Sequence, residues 1–151
     1  MERTAAKFRM IDITQKSDVF REAVAVGRIR LKPETVQMIR DAKVEKGDPL
    51  AAAEIASVMA AKSTSQLIPL CHPIPVTSVT THSTLGDNWI DVEASVKTTA
   101  KTGVEMEALV AATTYLLTVW DMVKRHEKDA MGQYPSTAIE SIRVKSKTKG
   151  S

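Results

Sequence analysis

Apolar and polar residues alternate through residues 23–31. Ala23, Ala25, Gly27, Ile29 and Leu31 share one parity while Arg28 and Arg30 take the other, the period-two pattern of a half-buried strand. Lys32-Pro33 then opens a short helix to about Ala42. Asp48 followed by Pro49 supplies an N-cap and a proline at the first helical position, so an alanine-rich helix is predicted to run to about Lys62. Its small side chains let a neighbouring element approach closely. Residues 75–85, rich in Val and Thr, read as a strand, and Gly86-Asp87-Asn88 as the turn that follows. Residues 90–97 alternate cleanly, with Ile90, Val92, Ala94 and Val96 inward and Asp91, Glu93, Ser95 and Lys97 outward. From near Gly103 to about Lys128, Val104, Leu109, Ala112, Leu116, Val119 and Val123 recur at helical spacing. Pro135 interrupts, and residues 138–146 form a last strand. This order, with the extra short helix after the first strand, predicts an α+β fold. It is the ferredoxin-like split βαβ arrangement: a four-stranded antiparallel sheet carrying two main helices.

Composition narrows the class without choosing a function. At 151 residues, with 43% hydrophobic and 26% charged residues, the chain reads as one globular domain over 1–151 with a core of ordinary size. Residues 1–8 and the basic tail 145–151 are expected to be mobile. A net charge of +3 suits a phosphate-bearing ligand as well as a nucleic acid. The lone cysteine excludes an internal disulfide framework and fits a reducing compartment. No apolar run approaches the roughly 20 residues of a bilayer span, and no signal-peptide core follows the N-terminus. The expectation is a cytoplasmic protein with no membrane partner. Nucleic acid is not an expected partner either: the chain has two Phe, two Trp and two Tyr, and strand 90–97 offers charges where an RNA-binding sheet would offer aromatics.

Three stretches could carry chemistry. In Leu67-Ile68-Pro69-Leu70-Cys71-His72-Pro73, two prolines fix the backbone around a thiol and an imidazole. The pair reads equally as a small buried side chain beside a structural histidine. It does not make a zinc site, since only His82 and His126 remain and there is no second cysteine, so no metal or cofactor is expected. In Thr102-Gly103-Val104-Glu105-Met106-Glu107, Gly103 permits close approach at a helix start whose free N–H groups favour negative charge. Glu105 and Glu107 answer that same dipole without any ligand. Asp121 and Lys124 share a helix face at i and i+3, either as an exposed ion pair or as an acid–base pair whose pKa values a shared pocket pulls towards neutrality. Arg21, Lys46, Lys62, Lys145, Lys147 and Lys149 could together balance a polyphosphate, although neither a P-loop nor a dinucleotide-binding glycine turn is present.

Taken in order, several segments resemble the molybdenum cofactor biosynthesis protein C family of cyclic pyranopterin monophosphate synthases. They are Met10 to Ile13, Arg21 to Gly27, Lys46-Gly47-Asp48, Met59 to Lys62, Leu67 to Pro73, Thr102 to Leu109 and Trp120 to Lys124. The Leu-Ile-Pro-Leu-Cys-His-Pro and Thr-Gly-Val-Glu-Met-Glu-Ala-Leu strings are long and compositionally unusual. The resemblance implies a lyase that rearranges 3′,8-cyclo-7,8-dihydroguanosine 5′-triphosphate to cyclic pyranopterin monophosphate and expels pyrophosphate. It implies Asp121 as catalytic aspartate, with Lys46 and Lys124 in proton transfer or charge stabilisation. Leu70, Cys71, His72, Met106 and Glu107 match substrate-binding segments, with Glu105 beside them and Arg21 and Lys62 as further phosphate contacts. It also implies a homohexamer, a trimer of dimers with shared active sites. Val19, Trp120, Val123 and the 146–150 tail depart from the family's usual threonine, tyrosine, cysteine and Gly-Gly-Lys-Ser-Gly, which puts the tail's phosphate role in doubt.

One geometric consequence follows from a continuous helix over 103–127. Glu107 and Asp121, fourteen residues apart, would stand about 21 Å apart along the axis and within roughly 40° of one face. One nucleotide would hardly reach both from a single chain, so two chains are expected to complete each site.

Overall fold

The computed structural model describes residues 7–150; residues 1–6 of the predicted N-terminal arm, and Ser151, lie outside that range. Eight elements follow in order: β1 (Val19–Arg30), α1 (Pro33–Arg40), α2 (Pro49–Lys62), a single turn α3 (Thr64–Leu67), β2 (Val76–Leu85), β3 (Trp89–Ala100), α4 (Glu105–Glu127) and β4 (Ala138–Lys149). The strands form one sheet in the order β2-β3-β1-β4, each neighbouring pair antiparallel. This is the predicted α+β, ferredoxin-like order, with β3 inserted between β2 and β1.

The period-two reading of β1 and β3 holds residue by residue. Ala23, Ala25, Ile29, Ile90, Val92, Ala94 and Val96 are buried on one sheet face, and that face is covered by α4. Gly27 lies in the same buried row because α4 and β4 leave it no room. A Cβ there would stand 2.6 Å from Ile142 Cδ1 and 2.9 Å from Leu116 Cδ1. The second layer is α4 with α2 packed along it. Asp48 caps α2 as expected, its side chain accepting from the N–H groups of Leu50 and Ala51. Ala53, Ser57, Ala60 and Ala61 form the buried stripe of α2, and their size lets it lie close to α4.

Two expectations about extent need correction. β1 begins at Val19, four residues before its alternation becomes legible. The last strand, expected over residues 138–146, runs on as β4 to Lys149, with Arg21 opposite Lys149 and Ala23 opposite Lys147. Backbone pairing with the start of β1 holds this segment, and such pairing leaves no mark in side-chain polarity. β4 is an edge strand, where a run of lysines hinders pairing with a further sheet.

The described part of the protein contains one helix, α4, long and apolar enough by length and composition to cross a membrane; 44% of its most apolar window is buried inside the protein.

Candidate active site

Lys46, Asp121 and Lys124 converge at the C-terminal end of α4. Lys46 reaches this point from the α1–α2 loop. Val44 is buried there, and the Gly47 N–H donates to the Val44 carbonyl at 3.1 Å, closing a turn with Glu45 and Lys46 at its tip. Gly47 has φ +118°, a conformation that glycine alone adopts without strain. From this tip Lys46 Nζ donates to the Asp121 carbonyl at 3.1 Å and lies 3.4 Å from Asp121 Oδ2. Lys124, one turn along the helix, places its Nζ 3.1 Å from Oδ1. Hydrogen bonds from Lys124 and then Lys46 hold the Asp121 carboxyl below its ordinary value of 3.8. The pKa direction for Asp121 is therefore opposite to the shift towards neutrality considered from the sequence. The aspartate side chain is 59% exposed in the single chain, so burial opposes the two ammonium groups only weakly.

A second cluster forms at the other end of α4. The short turn α3 and the prolines around Leu70-Cys71-His72 lead the chain back over the first turn of α4. There Cys71 Sγ comes within 3.9 Å of Glu107 Oε1. Glu107 is only 2% exposed, and its Oε2 has no hydrogen-bond partner. Burial pushes the Glu107 carboxyl above its ordinary value, with the charge on Glu105 adding to the rise. Burial, followed by the adjacent Glu107, likewise raises the Cys71 thiol. Cys71 is thus a protonated donor to a carboxylate that water does not solvate, not a nucleophilic thiolate. Neither is Glu107 a solvated helix-start charge, the plainer reading of its position. His72 Nε2 lies 2.6 Å from the Ile11 carbonyl, tying the N-terminal segment to this loop. Leu70 and Met106 are exposed beside the cluster.

The remaining candidates are more dispersed. A small cavity of about 120 Å³ is lined by Arg21, Gly103, Glu105, Lys147 and Lys149. Within it Lys147 Nζ lies 3.3 Å from Glu105 Oε1. Arg21 donates to the carbonyls of Ala100 and Lys101 at 3.2 and 3.3 Å, so part of its guanidinium is already engaged by backbone. Lys145 pairs with Glu93 on the open sheet face. Lys62 is exposed at the C-terminal end of α2, and α2 carries it to the end of the molecule opposite Lys46. A larger depression of about 580 Å³ on the open sheet face includes Lys145 but no other candidate residue, and its charges are largely paired, as in Arg28–Asp91 at 2.6 Å. Among the described residues, no three His, Cys, Asp or Glu side chains converge to hold a metal ion.

α4 is one continuous helix through both clusters. The arrangement anticipated from the sequence therefore stands: Asp121 and its lysines lie about 21 Å along the axis from Glu107. Comparison with known proteins gives these two clusters a context. Residues 10–150 match the model of the MoaC family. The chain belongs to the MoaC family. Relatives named "Probable cyclic pyranopterin monophosphate synthase" include one from Pyrococcus furiosus, 53% identical over 93% of this chain and 90% of its own length. One from Thermococcus kodakarensis is 54% identical over 94% of this chain and 91% of its own length. One from Aeropyrum pernix is 55% identical over 93% of this chain and 97% of its own length. The MoaC match begins at Met10, within the segment that Ile11 ties to His72, and ends at Gly150, past the last residue of β4.

Two groups of this MoaC protein escaped the sequence reading. Glu127 is fully buried at the end of α4. Its carboxylate accepts from the Lys32 N–H at 3.1 Å, from Thr137 Oγ1 at 2.7 Å and from Thr35 Oγ1. The available signal was its place in the apolar row of Leu116, Val119 and Val123, where an acid must find internal partners. The other group is an ion pair between Glu45 and Arg125, which brackets Lys46 and Asp121.

Proposed function

We propose that this chain is a cyclic pyranopterin monophosphate synthase of molybdenum cofactor biosynthesis. It converts 3′,8-cyclo-7,8-dihydroguanosine 5′-triphosphate to cyclic pyranopterin monophosphate and pyrophosphate, and two chains build each active site. The observation that carries the chemical part is the convergence of Lys46, Asp121 and Lys124 at one point of a MoaC-family chain. The reaction opens and recloses the purine-derived ring and forms a cyclic phosphate. In the second part an alcohol oxygen bonds to the α-phosphorus as its proton leaves. The bond to the oxygen bridging the α- and β-phosphates breaks, and pyrophosphate departs with that electron pair. A carboxylate kept ionised by two ammonium groups is suited to relay protons among the nitrogen and oxygen atoms of the substrate. The ammonium groups also offset charge that develops on phosphate oxygens.

Glu107, Cys71 and His72 form the opposite wall in this reading. A buried carboxylate with a free oxygen suits the N–H groups of an aminopyrimidinone ring, while Leu70 and Met106 supply apolar contact. Because one substrate cannot reach both ends of α4, the wall comes from a neighbouring chain, within a hexamer of three dimers. The lone cysteine and the biosynthetic role support a cytoplasmic location in this reading.

Incubation with the cyclised substrate tests the assignment through released pyrophosphate and through pterin fluorescence after oxidation. Both products are expected. Asp121→Asn and Lys46→Ala should each lower turnover at least about 100-fold while leaving far-UV circular dichroism unchanged. Folded wild-type protein that yields neither product would overturn the activity. Variants that keep full turnover would overturn the residue roles.

A further inference from the structure

We infer that the Glu45–Arg125 ion pair is a positioning clamp that keeps Lys46, rather than Arg125, on the Asp121 carboxylate; this rests on the reading of Lys46 and Asp121 as catalytic partners. Glu45 and Lys46 are adjacent at the tip of the Val44–Gly47 turn, and both reach α4. Their partners, Asp121 and Arg125, are spaced i and i+4 and so share one face of that helix. The four groups form an alternating set: acid and base on the turn, base and acid on the helix. Each turn residue is paired with its opposite charge.

The spacing also contains a competitor. A guanidinium one turn along from Asp121 is within ordinary i,i+4 reach of its carboxylate and, with its planar fork, binds carboxylates better than an ammonium does. An Arg125 bound to Asp121 would displace Lys46 and replace a group that can give up a proton with one that cannot. Glu45 prevents this by engaging the Arg125 Nη1 itself. The same contact holds the tip of a turn whose other anchors are the buried Val44 side chain and the Gly47–Val44 hydrogen bond. Both side chains of the pair are largely exposed, 73% for Arg125 and 65% for Glu45, so the clamp adds little to global stability. Its effect falls on which cation meets Asp121.

This assignment makes the two partners unequal, which a purely structural ion pair would not. In steady-state assays of pyrophosphate release, Glu45→Ala should lower kcat about five- to tenfold with KM changed less than about twofold, because it frees Arg125. Its acidic limb in the kcat–pH profile should move to lower pH as a guanidinium takes over the carboxylate. Arg125→Ala should lower kcat by no more than about threefold, since no competitor remains. The double variant should return to the level of Arg125→Ala. A double variant as impaired as Glu45→Ala, or a Glu45→Ala enzyme with unchanged kcat, would overturn the clamp. Lys46→Ala and Asp121→Asn, assayed alongside, separate this outcome from failure of the underlying site: if they retain activity, the site reading fails first.

Discussion

Two carboxylates on one helix have been driven in opposite directions. Asp121 is exposed and flanked by Lys124 and Lys46, which favour its charged form. Glu107 is buried and lies near Glu105, which together favour its neutral form over the smaller opposing effect of the Cys71 hydrogen bond. The second case has a consequence for stability. The Glu107 pKa in the folded chain lies above the ordinary 4.5, so the fold prefers the protonated acid. Its contribution to stability is complete below the ordinary value and is lost as pH rises through the higher folded value. Glu107→Gln removes the charge but keeps a polar group of the same size. Melting at pH 7 should therefore occur about 2–4 °C higher in the variant, with the difference vanishing at pH 4. A variant that melts below the wild type at pH 7 would show that the wild-type carboxylate is not held at a cost. The same substitution should impair substrate binding, the usual exchange between stability and function at a site.

At the scale of elements, the sequence was most legible where one face is buried and the other solvated. The alternation in β1 and β3 and the apolar row of α4 follow directly from that asymmetry, and they place Glu107 and Asp121 on one continuous helix. Legibility failed where backbone pairing alone sets the structure. Lys147 and Lys149 continue β4 because Ala23 and Arg21 stand opposite them, not because of any pattern of their own. It also failed for contacts between distant segments. The approach of Lys46 to Asp121 depends on how the α1–α2 loop lies against α4; family resemblance suggested it, and periodicity could not. The Cys71–Glu107 contact was not legible for the same reason, and the role of Cys71 stayed open because a lone cysteine looks alike in a core and in a site.

The close fit of β1 beneath α4 can be tested at Gly27. Alanine there must displace both Leu116 and Ile142, and overpacking of this kind costs about 1–3 kcal/mol. Urea unfolding of Gly27→Ala should show a lower midpoint with an unchanged slope. An unchanged midpoint would mean that α4 is not pressed against the sheet at this point.

For the molecule as a whole, the length of α4 is the governing fact. A single chain displays the Lys46–Asp121–Lys124 cluster of the proposed relay at one end and a buried acid with a free oxygen at the other, too far apart for one nucleotide. A symmetric assembly that brings unlike ends of neighbouring chains together joins them without changing either chain's fold. This two-chain site is the central claim, and subunit mixing tests it most directly. Asp121→Ala and Glu107→Ala proteins, each inactive alone, are combined in equal amounts under conditions where native mass spectrometry shows subunit exchange. Random exchange should restore about a quarter of wild-type turnover, because one site in four then draws its intact Asp121 and its intact Glu107 from different chains. Hybrids that form but remain inactive would contradict it.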